Sequence, residues 1–367
     1  MLMLRAAEHG LDLQHCIWRN DLTRALLFDA VREAADRCVR LRLLLDDQDI
    51  SGLDDVLAAL NGHANIEVRL FNPCAGRSAR ALQFVGDFSR LNRRVHNKSL
   101  TVDNQVTLIG GRNMGDAYFG ATDGVVFADM DVLAVGKVVG EVSTDFDRCR
   151  AAVSSYLAER LLPETTPDAL AAMAERAARS LYSPGASIHV TALRASAFVA
   201  QLLAGDLPLV WASTRMVSDP PAKVIADKAT RRMLASSMAK VIGQTIRELQ
   251  IVSPYFVAIH AGVQTLEALR EQCVQVSVLT NSLEATDVSV VHAGCAKHRH
   301  ALLRAGCGSM SCEALRVCPK CRCSPDWLAA RLPACTPRPL GWTASACLSA
   351  RSISTPARQC STPSWVL

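Results

Sequence analysis

The stretch CVRLRLLLDD, Cys38 to Asp47, returns in altered form as CVQVSVLTNS, Cys273 to Ser282. In both copies a cysteine opens a short apolar run of strand length that closes in small polar residues. Outward from the first copy, Leu11 to Trp18 reads as a strand. Asn20 or Asp21 is placed to cap a helix with an apolar face of Leu22, Leu26, Leu27, Ala30 and Val31. On the other side Ile66 to Phe71 is a further strand, ended by Asn72-Pro73. Outward from the second copy, Leu249 to Val257 reads as a strand and Gly262 to Glu271 as a helix. Strands separated by helices predict an α/β fold whose sheets are mostly parallel. The recurrence predicts two pseudo-repeated lobes.

The chain has 367 residues, half of them hydrophobic (50%) and a fifth charged (20%), which excludes a disordered or collagen-like protein. No uncharged apolar run reaches the roughly 18 residues of a membrane-spanning helix. No basic-then-apolar leader precedes the first strand, so neither a transmembrane segment nor a secretion signal is expected. A net charge of +5 admits an anionic substrate or membrane surface without demanding nucleic acid. Cysteine is unevenly spread: six lie before residue 307 and eight from there on. Acids do the reverse, since only Glu313 and Asp326 follow Gly306, and no histidine lies beyond His300. Two kinds of sequence meet near residue 306.

The chemistry lies in the first lobe. A polar stretch from Asp87 to Arg94 leads into Val95-His96-Asn97-Lys98-Ser99-Leu100-Thr101-Val102-Asp103, a strand from Gln105 to Ile109, and then Gly110-Gly111-Arg112-Asn113. His96 and Lys98 are two apart on extended chain and share a face. Neutral imidazole is a competent nucleophile at phosphorus, and Lys98 and Asn113 can neutralise and hydrogen-bond the non-bridging oxygens. Gly110 and Gly111 let backbone amides approach an anion closely.

The pattern H-x-K-x4-D-x6-G-G-x-N is the signature of the phospholipase D superfamily, present here at every fixed position. LNRRVHNKSLTVDNQVTLIGGRNMGDAYF at 91–119, SPYFV at 253–257 and LTNSLEATDVSVVHAG at 279–294 resemble the bacterial cardiolipin synthase-like branch, over roughly residues 1–306. The resemblance implies two lobes packed face to face, each giving one His-x-Lys to a shared site that needs no metal or other cofactor. One histidine attacks the phosphodiester to form a phosphohistidine; the other protonates the leaving alcohol and then activates the acceptor alcohol or water. It makes His96 the nucleophile, Lys98 and Asn113 phosphate ligands, and Asp103 a supporting residue. It also implies a phospholipid substrate at a membrane surface, peripheral attachment at the cytoplasmic face of a bacterial inner membrane or a cytoplasmic location, and no nucleic-acid partner. Against that family, Cys16, Cys149, Cys295 and His298 stand where aromatic residues are expected.

Other residues admit two readings. Asp46 and Asp47 close a strand where parallel sheets carry ligands, or cap a turn. Ser253, Tyr255, Thr280, Asn281, Asp287 and His292 lie at the corresponding edge of the second lobe. Of these, Ser253, Tyr255 and Asn281, with Gly110 and Gly111, are taken as substrate-binding candidates. Arg93 and Arg94 can meet anionic headgroups or simply face solvent.

His96 lies 58 residues after Cys38, so its counterpart is due near residue 331, where the chain reads RLPACTPR, 331–338. No second His-x-Lys exists in the sequence. Codons chosen for Pro333 onward and read from the third base of each can spell SLHAKTFGVDGERVFVGSFNLDPRS, which restores the missing signature as H-x-K-x4-D-x6-G-S-x-N. The tail therefore reads as out of frame. The competing reading is a zinc site built on Cys318, Cys321, Cys323, Cys335 and Cys347, which lacks a clean second C-x2-C and any histidine. The expected organisation is a first lobe at 1–160, a helical connection at 161–235, an incomplete second lobe at 236–306 and an aberrant Cys/Pro-rich tail at 307–367. The expected activity is phosphatidyl transfer or phosphodiester hydrolysis on phospholipid, impaired unless two copies dimerise and share His96. The alternatives are a non-catalytic lipid- or anion-binding remnant and a phospholipase D-type nuclease working as a dimer.

Overall fold

The computed structural model describes residues 1–74, 77, 96–122, 126–182, 186, 190–191, 196–224, 240–245, 247–253, 256–258, 260–283, 289–312, 340–342, 347–351 and 363–366. In chain order the first lobe comprises α1 (Leu2–Ala6), β1 (Gly10–Ile17), α2 (Leu22–Asp36), β2 (Arg40–Asp49), α3 (Asp54–Asn61), β3 (Ile66–Phe71), β4 (Ser99–Val102), β5 (Val106–Gly110), α4 (Asp116–Phe119), β6 (Val126–Ala128), β7 (Asp131–Val135), α5 (Lys137–Arg150) and β8 (Ser155–Leu157). There follow α6 (Ala169–Leu181), α7 (Ala197–Ala204) and β9 (Thr214–Arg215). The second lobe has β10 (Glu248–Val252), α8 (His260–Glu271), β11 (Gln275–Asn281), α9 (Ser289–Arg304), β12 (Gly308–Cys312), β13 (Leu340–Trp342), β14 (Cys347–Arg351) and β15 (Pro363–Val366).

The first sheet runs β7-β5-β4-β1-β2-β3-β8. Its β1, β2 and β3 are parallel, as strand–helix–strand connections require. β4 joins β1 antiparallel, and β5, β7 and β8 continue antiparallel. Leucines at alternate positions of β1 and β2 (Leu11, Leu13, Leu41, Leu43, Leu45) fill the face covered by α2, α3 and α6. Both faces of this sheet are covered, because Leu44 and Phe71 point the other way and meet Phe146 and Cys149 of α5.

The second sheet runs β12-β11-β10-β14-β15-β9 and repeats the arrangement: β10, β11 and β12 are parallel and β14 joins β10 antiparallel. The repeat extends to backbone detail. Cys38 and Cys273 both take a left-handed conformation, at φ 70 and 61, directly after a helix. In each, the following amide (Val39 or Val274) reaches back to a carbonyl of the last helical turn (Ala34 or Leu269).

Several expectations change in extent. The strand expected over Leu249–Val257 ends at Val252, and the one read to close at Asp46-Asp47 continues to Asp49. The helical connection expected to begin at 161 is preceded by α5 and β8 and has its first α-helix at α6. Among the described residues beyond 306, β12, β14 and β15 join the second sheet. Residue 331, where the second histidine was due, lies outside the described residues. Strand register gives a second estimate: Ser99 faces Gln14 as Cys347 faces Val252, which puts the counterpart of His96 at Ala344, again not a histidine.

Candidate active site

β1 places the first residues of the site. Its parallel register with β2 runs regularly to His15↔Leu45 and then slips, so that Ile17 faces Asp49. Such an irregularity re-aims side chains at the end of a strand. The antiparallel ladder to β4 stops at Gln14↔Ser99, one residue short of His15 and Lys98. His96, Lys98, His15 and Cys16 therefore meet at the edge of the sheet where β1 ends and β4 begins.

Lys98 is 3% exposed, and its ammonium lies 2.9 Å from His96 Nδ1 while donating to the His96 carbonyl at 3.2 Å. An ammonium can only donate, so this contact makes Nδ1 the acceptor and leaves the ring proton on Nε2. Asn97, between them, points to the opposite side and donates to the Asp145 carboxylate at 3.0 Å. Asn113 is buried; its Nδ2 donates to the Tyr118 hydroxyl at 2.9 Å and its Oδ1 accepts the Cys16 thiol at 3.2 Å. Among the described residues Asn113 Nδ2 donates one of its two hydrogens, to Tyr118. Burial pushes the Tyr118 phenol up, and the Asn113 bond works against that.

Four residues not singled out from the sequence belong here. His15 is buried, packs edge-on against Trp18 at 5.7 Å, and its Nδ1 has no hydrogen-bond partner among the described residues. Burial, and secondarily the Lys98 charge, push its pKa down to about 3. Burial pushes the Asp129 carboxyl up to about 7; the Met130 amide and the charges of Lys98 and Arg112 oppose this, and Asp131 adds to it. Arg112 pairs with Asp131 at 2.8 Å and donates to the carbonyls of Tyr118 and Asp129. Histidine just before the end of β1 and the D-x-D of Asp129 and Asp131 were the available signals.

The glycines have a packing reason. A Cβ on Gly110 would lie 1.9 Å from Asp131 Oδ1, so β5 can pass β7 only with no side chain there. The Gly111 amide donates to the Met130 carbonyl at 3.3 Å. Asp103 sits at the far end of β4 from Lys98. Its carboxylate accepts the amides of Glu8, His9 and Gly10 at 3.0, 2.8 and 2.8 Å. Burial alone would raise its pKa, yet those amides hold it below the usual carboxylate range. It supports the site by pinning the β4–β5 turn to the start of β1.

Residues 2–150 match the family model described as cardiolipin synthase, PLD-like domain. Over 300 residues the chain is 45% identical to cardiolipin synthase C of Escherichia coli (strain K12), covering 82% of this chain and 63% of that protein. Residues 2–150 thus place a domain of the phospholipase D superfamily in this chain. Within it, the match is to the cardiolipin synthase-like branch. Over 313 residues it is also 27% identical to an uncharacterized protein of Helicobacter pylori (strain ATCC 700392 / 26695), covering 83% of this chain and 61% of that one. A phosphatidylserine synthase structure from Haemophilus influenzae Rd KW20 aligns at a TM-score of 0.46 and 11% identity, over 77% of this chain and 59% of that one. The chain thus spans about three fifths of the length of the curated relatives it matches.

The phospholipase D signature therefore resolves into separate jobs. Lys98 contacts His96, Asn113 bonds Tyr118 and Cys16, Asp103 ties the other end of β4 to the start of β1, and Gly110 serves strand packing. Asp47 is tied down by the Arg77 guanidinium and the Cys74 amide, both at 2.8 Å, and Asp46 accepts the Gln48 amide at 3.1 Å, so the pair brace the end of β2. In the second lobe the Ser253 amide donates to the Leu279 carbonyl at 3.0 Å and Asn281 ends β11. Tyr255, Asp287, Arg93 and Arg94 lie outside the described residues, as does residue 95 preceding His96. No group of three or more His, Cys, Asp or Glu side chains suited to a metal, and no helix long and apolar enough to cross a membrane, occurs among the described residues.

Proposed function

We propose that the chain is a phospholipase D-type phosphatidyltransferase or phosphodiesterase of phospholipids, acting through a phosphohistidine on His96. The observation that carries this reading is the Lys98 ammonium 2.9 Å from His96 Nδ1, with buried Asn113 on the same signature. A phosphodiester entering the site would draw Lys98 onto a non-bridging oxygen and free the imidazole lone pair. That lone pair attacks phosphorus, the bond to the leaving alcohol breaks, and the alkoxide takes a proton from a general acid. An acceptor alcohol or water then gives its proton to the conjugate base and attacks phosphorus, which releases His96.

The resemblance assigns the general acid to a second His-x-Lys, and these 367 residues hold one. Two copies facing each other would bring His96 and His96 together. Without such pairing, neither half-reaction has the proton donor or acceptor of the second histidine, and turnover is slow. The out-of-frame reading of 307–367 accounts for the missing motif; resequencing the coding DNA from codon 295 past the stop tests it directly.

The test of the chemistry is trapping. Incubation with phosphate-labelled phosphatidylglycerol vesicles followed by alkaline denaturation should leave acid-labile label on the chain, and His96→Ala should abolish it. A second reading rests on the single motif: a lipid- or anion-binding remnant that keeps the phosphate site without turnover. Absence of His96-dependent label, with vesicle binding retained in His96→Ala, would establish that reading instead.

A further inference from the structure

Behind the motif strand lies a separate cavity of about 710 Å³, between α5 and the chain at 215–218 and 240–241. Six charged side chains line it: Lys137, Glu141, Asp145, Arg148, Arg215 and Lys240. Both acids are already engaged. Glu141 accepts the Met216 amide at 2.9 Å, and Asp145, whose side chain is 6% exposed, accepts Ser218 Oγ at 2.6 Å, the Asn97 amide at 3.0 Å and the Arg148 guanidinium. That leaves Lys137, Arg215 and Lys240 with no carboxylate partner among the described residues, converging on one concave space. Met216, Val217 and Val241 supply an apolar wall. A cavity of this size holds a small molecule rather than a macromolecular surface.

We propose that this crevice is a second anion site, binding the phosphate group of a glycerophosphate between Lys137, Arg215 and Lys240, with the carbon body against Met216, Val217 and Val241. Four cations (Lys137, Arg148, Arg215 and Lys240) against two carboxylates (Glu141 and Asp145) leave the lining net positive, which offsets the charge of a phosphate. The site is distinct from the His96 pocket and does not depend on the function proposed above. Its floor nonetheless touches the motif, because Asp145 bonds both Ser218 in the crevice and Asn97 between His96 and Lys98. The ligand can be a free glycerophosphate or the headgroup of a phospholipid; the chemistry recognised is the same.

Calorimetric titration of the full chain with glycerol 3-phosphate at low salt, together with sedimentation on phosphatidylglycerol and phosphatidylcholine vesicles, tests this. In a Lys98→Gln background, which removes the phosphate ligand of the His96 site, Arg215→Glu combined with Lys240→Glu should weaken the remaining binding at least tenfold. Arg215→Lys with Lys240→Arg, which keeps the charge, should bind within about twofold of the parent, and matching thermal melts show that all variants are folded. Binding to glycerol 3-phosphate identifies a soluble ligand. Binding to phosphatidylglycerol vesicles alone identifies a headgroup. No binding to either, binding unchanged by the double reversal, or binding lost in Lys98→Gln but kept in the double reversal would each overturn the proposal; the last would return the anion to the His96 site.

Discussion

Beside the signature, buried His15 and half-buried Asp129 have opposite titration behaviour, and this makes the pH dependence of stability separable by mutation. His15 has its pKa lowered in the folded chain to about 3 from an ordinary 6.5. The unfolded chain therefore binds more protons between those values, and the stability that neutral His15 supports is complete above 6.5 and lost as pH falls toward 3. Asp129 is raised from 3.8 to about 7. The folded chain binds more protons in that window, so stability is lost as pH rises from 4 through 7. His15→Phe should flatten the fall in melting temperature between pH 6.5 and 5. Asp129→Asn should raise the melting temperature at pH 8 and change little at pH 5. Thermal melts of both variants across pH 4.5–8.5 check this, and a melting temperature at pH 8 unchanged by Asp129→Asn would refute the assignment. At this scale the signature residues were legible because their spacing is rigid. Cys16, Tyr118 and His15 were not, because nothing local in sequence says that β1 ends against β4.

Among elements, the short turn that carries Asn113 is held by reciprocal capping. The Asp21 carboxylate accepts the Arg24 amide at the start of α2 and the Asp116 amide at the start of α4, at 3.3 and 2.7 Å. The Asp116 carboxylate in turn accepts the amides of Leu22 and Thr23 at 3.3 and 2.7 Å, and the Thr23 hydroxyl. Each helix start thus satisfies the other's free amides, and loss of one cap is expected to cost about 1–2 kcal/mol. Because the partners share a network, Asp21→Ala with Asp116→Ala should destabilise by clearly less than the sum of the singles, measured by urea unfolding. Full additivity would mean the two caps act independently. The cap at Asp21 was legible from the sequence, since an acid directly before an apolar-periodic stretch is a helix-start signal. Its second bond, to a residue 95 positions away, was not. Similarly, Asp103 was legible as a motif position but its task was not, since Glu8, His9 and Gly10 are brought to it only by β1 pairing with β4.

For the whole molecule, each sheet has a parallel trio flanked by an antiparallel strand, and one of the two carries a His-x-Lys. If two copies pair their sites, as proposed, the label-transfer reaction needs His96 from both. Mixing wild type with excess His96→Ala should then depress turnover below the fraction of wild-type chain. Strict proportionality between turnover and wild-type fraction would exclude the shared site. The repeat that motivates this idea was visible in two ten-residue stretches and is matched down to the left-handed backbone of Cys38 and Cys273.

The sequence alone determined the periodic apolar runs that make strands and helices, the recurrence of one strand–helix–strand unit, and the residue types and spacing that place a nucleophilic imidazole two residues from an ammonium. These are local properties, set by side-chain periodicity and covalent distance. Only the tertiary structure decided which signature residues touch, because contact depends on strand order and register: it joined Lys98 to His96, engaged Asn113 with Cys16 and Tyr118, sent Asp103 to the other end of β4, and opened a cationic crevice between α5 and a segment some 70 residues later. Burial is likewise a tertiary quantity, and it is burial that keeps His15 neutral and holds the proton on Asp129 to near neutral pH.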